Sequence, residues 1–301
     1  MLIGFDPLKS RLLTSYQNHK LHHGILLLGK KGMGKASFAK EFCLQILGTQ
    51  NDSHPDLLII EKDEGKRDIN VEKIRKISAF LNQTAAANKD KFIIIDSACE
   101  LNKSAANALL KILEEPHSKN FLILIAHNLS RVLPTIRSRC QLLKINDLSP
   151  SDFEKILQHK KIKFLTGEAK FLAELCENSP AVAIEMGAEI SRFYQLFLRS
   201  IINKKLSDEL LKTISAKDFS FAIVEKCLEF FFARLIKHIS KVRLEFFFEE
   251  EKVFLDLEQK FSPKEIFAIV DEAMISLHKT PALYLDKKLC LINIFNRICY
   301  E

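Results

Sequence analysis

The 301-residue sequence predicts an α/β domain built on a parallel five-stranded sheet, followed by an all-helical region. Three observations lead to this fold class. Through the first half, short apolar and partly β-branched runs alternate with segments of helical periodicity, the pattern of a parallel sheet covered by helices on both faces. Four of the nine glycines, Gly24, Gly29, Gly32 and Gly34, fall within eleven residues around the first such run, so the backbone there needs an unusual conformation. Beyond Leu148-Ser149-Pro150 the strand-like runs stop, and nearly everything to Glu301 reads as amphipathic helix.

The strands are predicted at GILLLG (24–29), DLLII (56–60), FIIID (92–96), FLILIA (121–126) and CQLLKI (140–145). Helices are predicted at Lys35–Leu47, Val71–Leu81 and Ser104–Leu113. The last of these closes at Glu114-Glu115-Pro116, where proline blocks continuation. In the second half, Asn178-Ser179-Pro180 marks a helix junction. Ser262-Pro263-Lys264-Glu265 is a helix start in which Ser262 caps, Pro263 suits the first turn and Glu265 completes a capping box. Three domains are expected: the α/β domain over 1–148, a small helical domain over 149–190 and a larger one over 191–301. The phenylalanine triplets at 230–232 and 246–248 fit a core or a subunit interface better than a ligand box.

With 47% hydrophobic residues each domain can build a core. No charged leader and no apolar run of membrane-spanning length is visible, so a cytoplasmic location without membrane contact is expected. The seven cysteines (Cys43, Cys99, Cys140, Cys176, Cys227, Cys290 and Cys299) form no C-x-x-C pair and read as reduced thiols, which argues against zinc or disulfides. Residues 1–150 hold 22 Lys/Arg against 15 Asp/Glu and the rest hold 23 against 23, so the net charge of +7 lies entirely in the first half. Any nucleic-acid contact is expected there, although a diffuse solvated surface explains the same charge.

Gly29-Lys30-Lys31-Gly32-Met33-Gly34-Lys35 follows a strand and opens a helix, the context in which G-x-x-x-x-G-K cradles phosphates with backbone N–H groups, a helix N-terminus and a lysine. The pattern next requires a Ser or Thr hydroxyl to ligate Mg²⁺, but position 36 is Ala. Ser37 lies one residue on, about 100° around the helix. The loop therefore predicts phosphate binding through Gly29, Gly32, Gly34, Lys35, Ala36 and Ser37 with metal-assisted hydrolysis impaired. The alternative is a tight turn that keeps the loop shape without nucleotide. Lys91–Asp96 is a buried strand delivering Asp96 at its C-terminal end, where open α/β sheets bind ligands. The following Ser97 lacks the charge and basicity to polarise an attacking water. A simple core strand with Asp96 capping the turn is the competing interpretation.

The third motif, Leu133-Pro134-Thr135-Ile136-Arg137-Ser138-Arg139-Cys140, alone is a basic turn before a strand. Joined in this order to the first two, with Asn102–Pro116 (NKSAANALLKILEEP) between, it resembles the clamp-loader branch of the AAA+ proteins. Within that branch the chain is most similar to the delta-prime family. Leu21-His22-His23, His54-Pro55-Asp56-Leu57 and, more weakly, Leu289–Phe295 add to the likeness, which covers about residues 1–185.

This resemblance implies an AAA+ P-loop domain, a helical lid (149–190) and a helical collar (191–301) that assembles a ring. It implies that Arg139 acts in trans on a neighbour's ATP, where a guanidinium neutralises charge developing on the transferred phosphoryl group. The implied partners are gamma/tau and delta subunits, the sliding clamp and primer-template DNA, within a DNA-directed DNA polymerase assembly. The implied cofactor is ATP at a weak or vestigial site, with no metal. Departures from the family sharpen the picture. The four-cysteine zinc module of many relatives is missing, since ten residues separate Cys43 from His54 and none is cysteine. Val182 stands where active relatives place a phosphate-sensing lid arginine. Ala126-His127-Asn128 replaces a hydroxyl and asparagine, and His127 reads as a turn residue.

Positions 36, 97 and 182 thus carry Ala, Ser and Val while Lys35, Asp96 and Arg139 remain. This favours a subunit that does not hydrolyse ATP over a hydrolysing gamma/tau-type subunit. A stand-alone P-loop enzyme is the alternative from another class, distinguished by needing no other polypeptide. A DNA-binding module without a ring is a third, weakened by the lack of a stacking patch or groove-reading motif.

Overall fold

A computed structural model describes residues 3–300 other than 50, 52, 64, 83–89, 117, 118, 163–166, 217, 218 and 283–285. The first half runs α1 (Asp6–Gln17), β1 (Gly24–Leu28), α2 (Lys35–Leu47), β2 (Leu57–Glu61), α3 (Val71–Leu81), β3 (Lys91–Asp96), α4 (Lys103–Glu114), β4 (Asn120–Ala126), α5 (Pro134–Arg137) and β5 (Gln141–Lys144). The five strands form one parallel sheet in the order β2-β3-β4-β1-β5, as the alternation predicts. The sequence pattern gives little sign of α1, whose apolar stripe is thin: only Leu12 is buried.

Strand periodicity explains how one sheet supports two cores. Ile25 and Leu27 of β1 point to one face and pack with Phe38, Phe42 and Leu47 of α2, Leu12 of α1, and Ile123 and Ile125 of β4. Leu26 points to the other and packs with Ile93, Ile95, Leu122 and Leu124, under Ile74 and Ile77 of α3 and Leu109 and Leu113 of α4. A strand buried on both sides needs apolar residues at every position, which is why these segments read as continuous runs rather than alternating ones. Local chemistry sets the helix starts: Asn70 accepts from the Lys73 N–H at 3.1 Å and Asn102 from the Ala105 N–H at 2.8 Å.

The second half is helical: α6 (Pro150–His159), α7 (Glu168–Leu175), α8 (Pro180–Ile202), α9 (Asp208–Ser215), α10 (Phe221–Ile239), α11 (Glu250–Lys260), α12 (Pro263–Ala282) and α13 (Lys287–Tyr300). Packing divides the chain into two units, residues 1–156 with 179–181, and residues 157–178 with 182–301. This differs from the three expected domains. The expected boundary at 190 falls inside α8, a continuous 23-residue helix, and the α7 segment packs with the C-terminal helices. The physical reason is a buried cluster. Arg234 on α10 is 2% exposed, donates to both oxygens of the fully buried Glu250, and reaches Glu174 of α7 at 2.7 Å. Tyr194 of α8 donates to Glu250 as well, and the guanidinium lies over the rings of Phe230 and Phe247, so both phenylalanine triplets feed this core. At the start of α12 the Ser262 N–H donates to Glu265 at 2.8 Å and the Glu265 N–H to the Ser262 hydroxyl at 3.4 Å, the expected capping box.

Candidate functional site: a P-loop and an arginine turn

β1 ends at Leu28, and the chain turns through Gly29–Gly34 into α2. Gly32 and Gly34 take φ of +80° and +90°, the left-handed region that L side chains rarely occupy. Gly34 is the N-cap of α2 and Lys35 its first residue. The Lys35 ammonium, 5% exposed, donates to the carbonyl of Gly29 at 2.7 Å and to that of Lys30. Burial lowers its pKa, and the nearby Asp96 carboxylate opposes that shift. Asp96 closes β3 on the same edge of the sheet. Burial and then Glu61 raise its pKa, against the pull of Lys35. The sheet thus brings Gly29, Gly32, Gly34, Lys35 and Asp96 together at one end of its strands.

Two loop residues behave differently. The Ala36 side chain packs against the core shared by α1, α2 and β1. Ser37 is exposed and lines a groove along α2 with Lys40, Glu41 and Leu44. Phosphate is a good fit to the left-handed glycines, the helix start and Lys35. At the next position Ala36 offers no hydroxyl to a metal ion.

One cluster escaped the sequence reading. Ser97 Oγ lies 2.9 Å from Cys99 Sγ and 3.2 Å from His127 Nδ1, and Cys99 Sγ lies 3.1 Å from the same nitrogen. Burial lowers the pKa of His127, which favours its neutral form. His127 is therefore part of a hydrogen-bonded cluster and also lines a cleft with Gly29, Lys30 and Asn128. The available signal was strand register: Ser97 and His127 each stand one residue beyond the ends of the paired strands β3 and β4. A further contact comes from the expected lid motif. The Ala181 N–H donates to Gly32 O at 3.2 Å, and a Cβ on Gly32 would fall 2.1 Å from the buried Ser179 hydroxyl.

Arg139 lies in the short turn between α5 and β5, two residues before the strand begins. Its Nη1 donates to Thr135 O at 3.1 Å and its Nη2 pairs with Glu114 Oε1 at 2.8 Å, with both side chains well exposed. Its carbonyl lies 3.2 Å from where a Gly24 Cβ would stand, at the first residue of β1. Because β1 and β5 run parallel, the P-loop leaves from the opposite edge, four residues or roughly 13 Å further along.

Comparison with known proteins decides the kinship. Residues 6–149 match the family model described as DNA polymerase III, delta subunit. That region is therefore similar to the DNA polymerase III delta and delta' subunits. A DNA polymerase III subunit delta' from Pseudomonas aeruginosa is 37% identical over 135 residues, 39% of this chain and 41% of that protein. The Bacillus subtilis subunit delta' is 31% identical over 191 residues, 58% of this chain and 56% of that one. The chain thus spans about half the length of the curated delta-prime relatives it matches. A gamma subunit-related protein from Thermotoga maritima superposes with a TM-score of 0.51 at 19% identity, covering 98% of each chain, which speaks to the fold alone. Among the described residues of this delta-prime-like chain no His/Cys/Asp/Glu group has the makings of a metal site, and no helix is long and apolar enough to cross a membrane.

Proposed function

We propose that this chain is a DNA polymerase III clamp-loader subunit of the delta-prime type, which does not hydrolyse ATP itself and supplies Arg139 to a neighbouring subunit's ATP. The observation that carries the proposal is the placement of Arg139 at the edge of the sheet opposite its own P-loop. A planar, permanently charged side chain there is too far away to complete the site of its own chain and is offered at the surface to another. Gly29, Gly32, Gly34 and Lys35 would hold the phosphates of a weakly bound ATP, whose triphosphate would otherwise supply phosphoryl-transfer chemistry. Ala36 and Ser97 withhold the metal ligand and the acid which that chemistry needs. The partners of this reading are gamma/tau and delta subunits, with the sliding clamp and primer-template DNA reached through the assembly. The cytoplasmic location belongs to the same proposal.

The test has two arms. The isolated chain is expected to turn over ATP no faster than a Lys35→Ala control; Mg²⁺-dependent hydrolysis that the control abolishes would favour a gamma/tau-type subunit. In a complex reconstituted with hydrolysing subunits, Arg139→Ala and Arg139→Lys are both expected to slow ATP turnover and clamp loading while leaving assembly intact, because lysine keeps the charge and loses the fork. Arginine fingers contribute about 10³ to 10⁵ in rate, and the loss here is expected to be smaller because other sites in the complex keep their own arginines.

A further inference from the structure

We infer that Glu114 is a positioning residue for Arg139, holding the guanidinium plane at the rim of the sheet in the attitude it offers to a neighbour. The inference rests on the trans-acting role proposed above. A planar group is oriented only when gripped at two points, and Arg139 is: Nη1 by the Thr135 carbonyl and Nη2 by the Glu114 carboxylate. A guanidinium has five N–H donors, so this grip leaves others for phosphate oxygens. The carboxylate also sits where helix electrostatics disfavour it. Glu114 is the last residue of α4, Glu115 follows as its C-cap, and the carbonyl end of a helix is its negative end. The Arg139 cation offsets that placement.

The main chain keeps the two residues in register. The end of α4 and the arginine turn both close on Gly24, where a Cβ would lie 3.0 Å from Leu113 Cδ2 and 3.2 Å from Arg139 O. His23 Nε2 hydrogen-bonds the Leu113 carbonyl at 3.2 Å, tying the same helix end to the residue before β1. A side chain at position 24 would press on both, so that each would have to give by a few tenths of an ångström.

The experiment is a double-mutant cycle read as ATP turnover by the reconstituted complex, with the wild-type chain, Glu114→Gln, Arg139→Ala and the double variant. Glu114→Gln is expected to lower kcat about two- to fivefold, the range of an exposed ion pair, without raising KM for ATP. In the Arg139→Ala background it is expected to change nothing. Full turnover by Glu114→Gln beside a slow Arg139→Ala complex would overturn the positioning role and leave the arginine's role standing. Equal losses in both backgrounds would show a generic structural effect and also overturn it. Normal turnover by Arg139→Ala would remove both.

Discussion

Two residues of the site carry opposite lessons about what a single side chain contributes. Gly32 is required twice, by a φ of +80° and by the Ser179 hydroxyl lying where its Cβ would go. Gly32→Ala is expected to cost about 1–2 kcal/mol from the backbone alone, and more from the clash. Adding Ser179→Gly should recover the second part and not the first, measured as urea midpoints of the three variants. Asp96 is present at a cost. Its pKa is raised from 3.8, so the stability it contributes is full below that value and is lost as pH rises through the higher folded pKa. The stability of the wild type relative to Asp96→Asn is therefore expected to fall as pH climbs from about 4 toward neutrality. A difference independent of pH would show that the carboxylate is not burdened by its surroundings. The neighbouring Ser97-Cys99-His127 cluster is hidden in the sequence because its members follow two different strands, about thirty residues apart in the chain.

Helix ends and helix lengths are the features that local sequence controls best. The starts of α3, α4 and α12 coincide with Asn70, Asn102 and Ser262, each placed so that a side-chain oxygen meets a backbone N–H three residues on. Ser262→Ala is expected to lower stability by about 1 kcal/mol in a thermal melt. The prediction fails if the loss is no larger than that of an exposed Ser→Ala change elsewhere. By contrast α1 gave little signal, since a helix that buries a single apolar residue has almost no periodicity to detect. The length of α8 was also missed at position 190, because nothing in a continuous helical pattern marks where one packing partner replaces another.

For the whole molecule, the buried Arg234–Glu250 pair decides which pieces stand alone. A fragment of residues 191–301 lacks Glu174, Phe171 and the first turns of α8, and leaves the Arg234 cluster short of one carboxylate. Breaking a buried ion pair by removing a partner costs about 3–5 kcal/mol, and losing the more exposed Glu174 falls below that range. Residues 157–301 are accordingly expected to melt cooperatively by circular dichroism, and residues 191–301 to melt markedly lower or without a transition. Equal melting by the two fragments would show that α7 is dispensable to the C-terminal helices.

What the sequence by itself determined was local or periodic. The five strands, the helices from Lys35, Val71 and near Ser104, the phosphate-loop glycines and the caps all follow from backbone sterics, proline and the rhythm of burial, which act within a few residues. The motif order sufficed to point to the clamp-loader branch. Only the tertiary structure decided which strand lies next to which, and so that Asp96 meets Lys35 while Arg139 lies at the far edge, paired with Glu114. Strand order and helix packing depend on contacts between residues tens of positions apart, for which one chain's local patterns carry no signal. The same limit explains why the Arg234 cluster, joining Glu174, Tyr194, Arg234 and Glu250 across four helices, became visible only once the chain was folded.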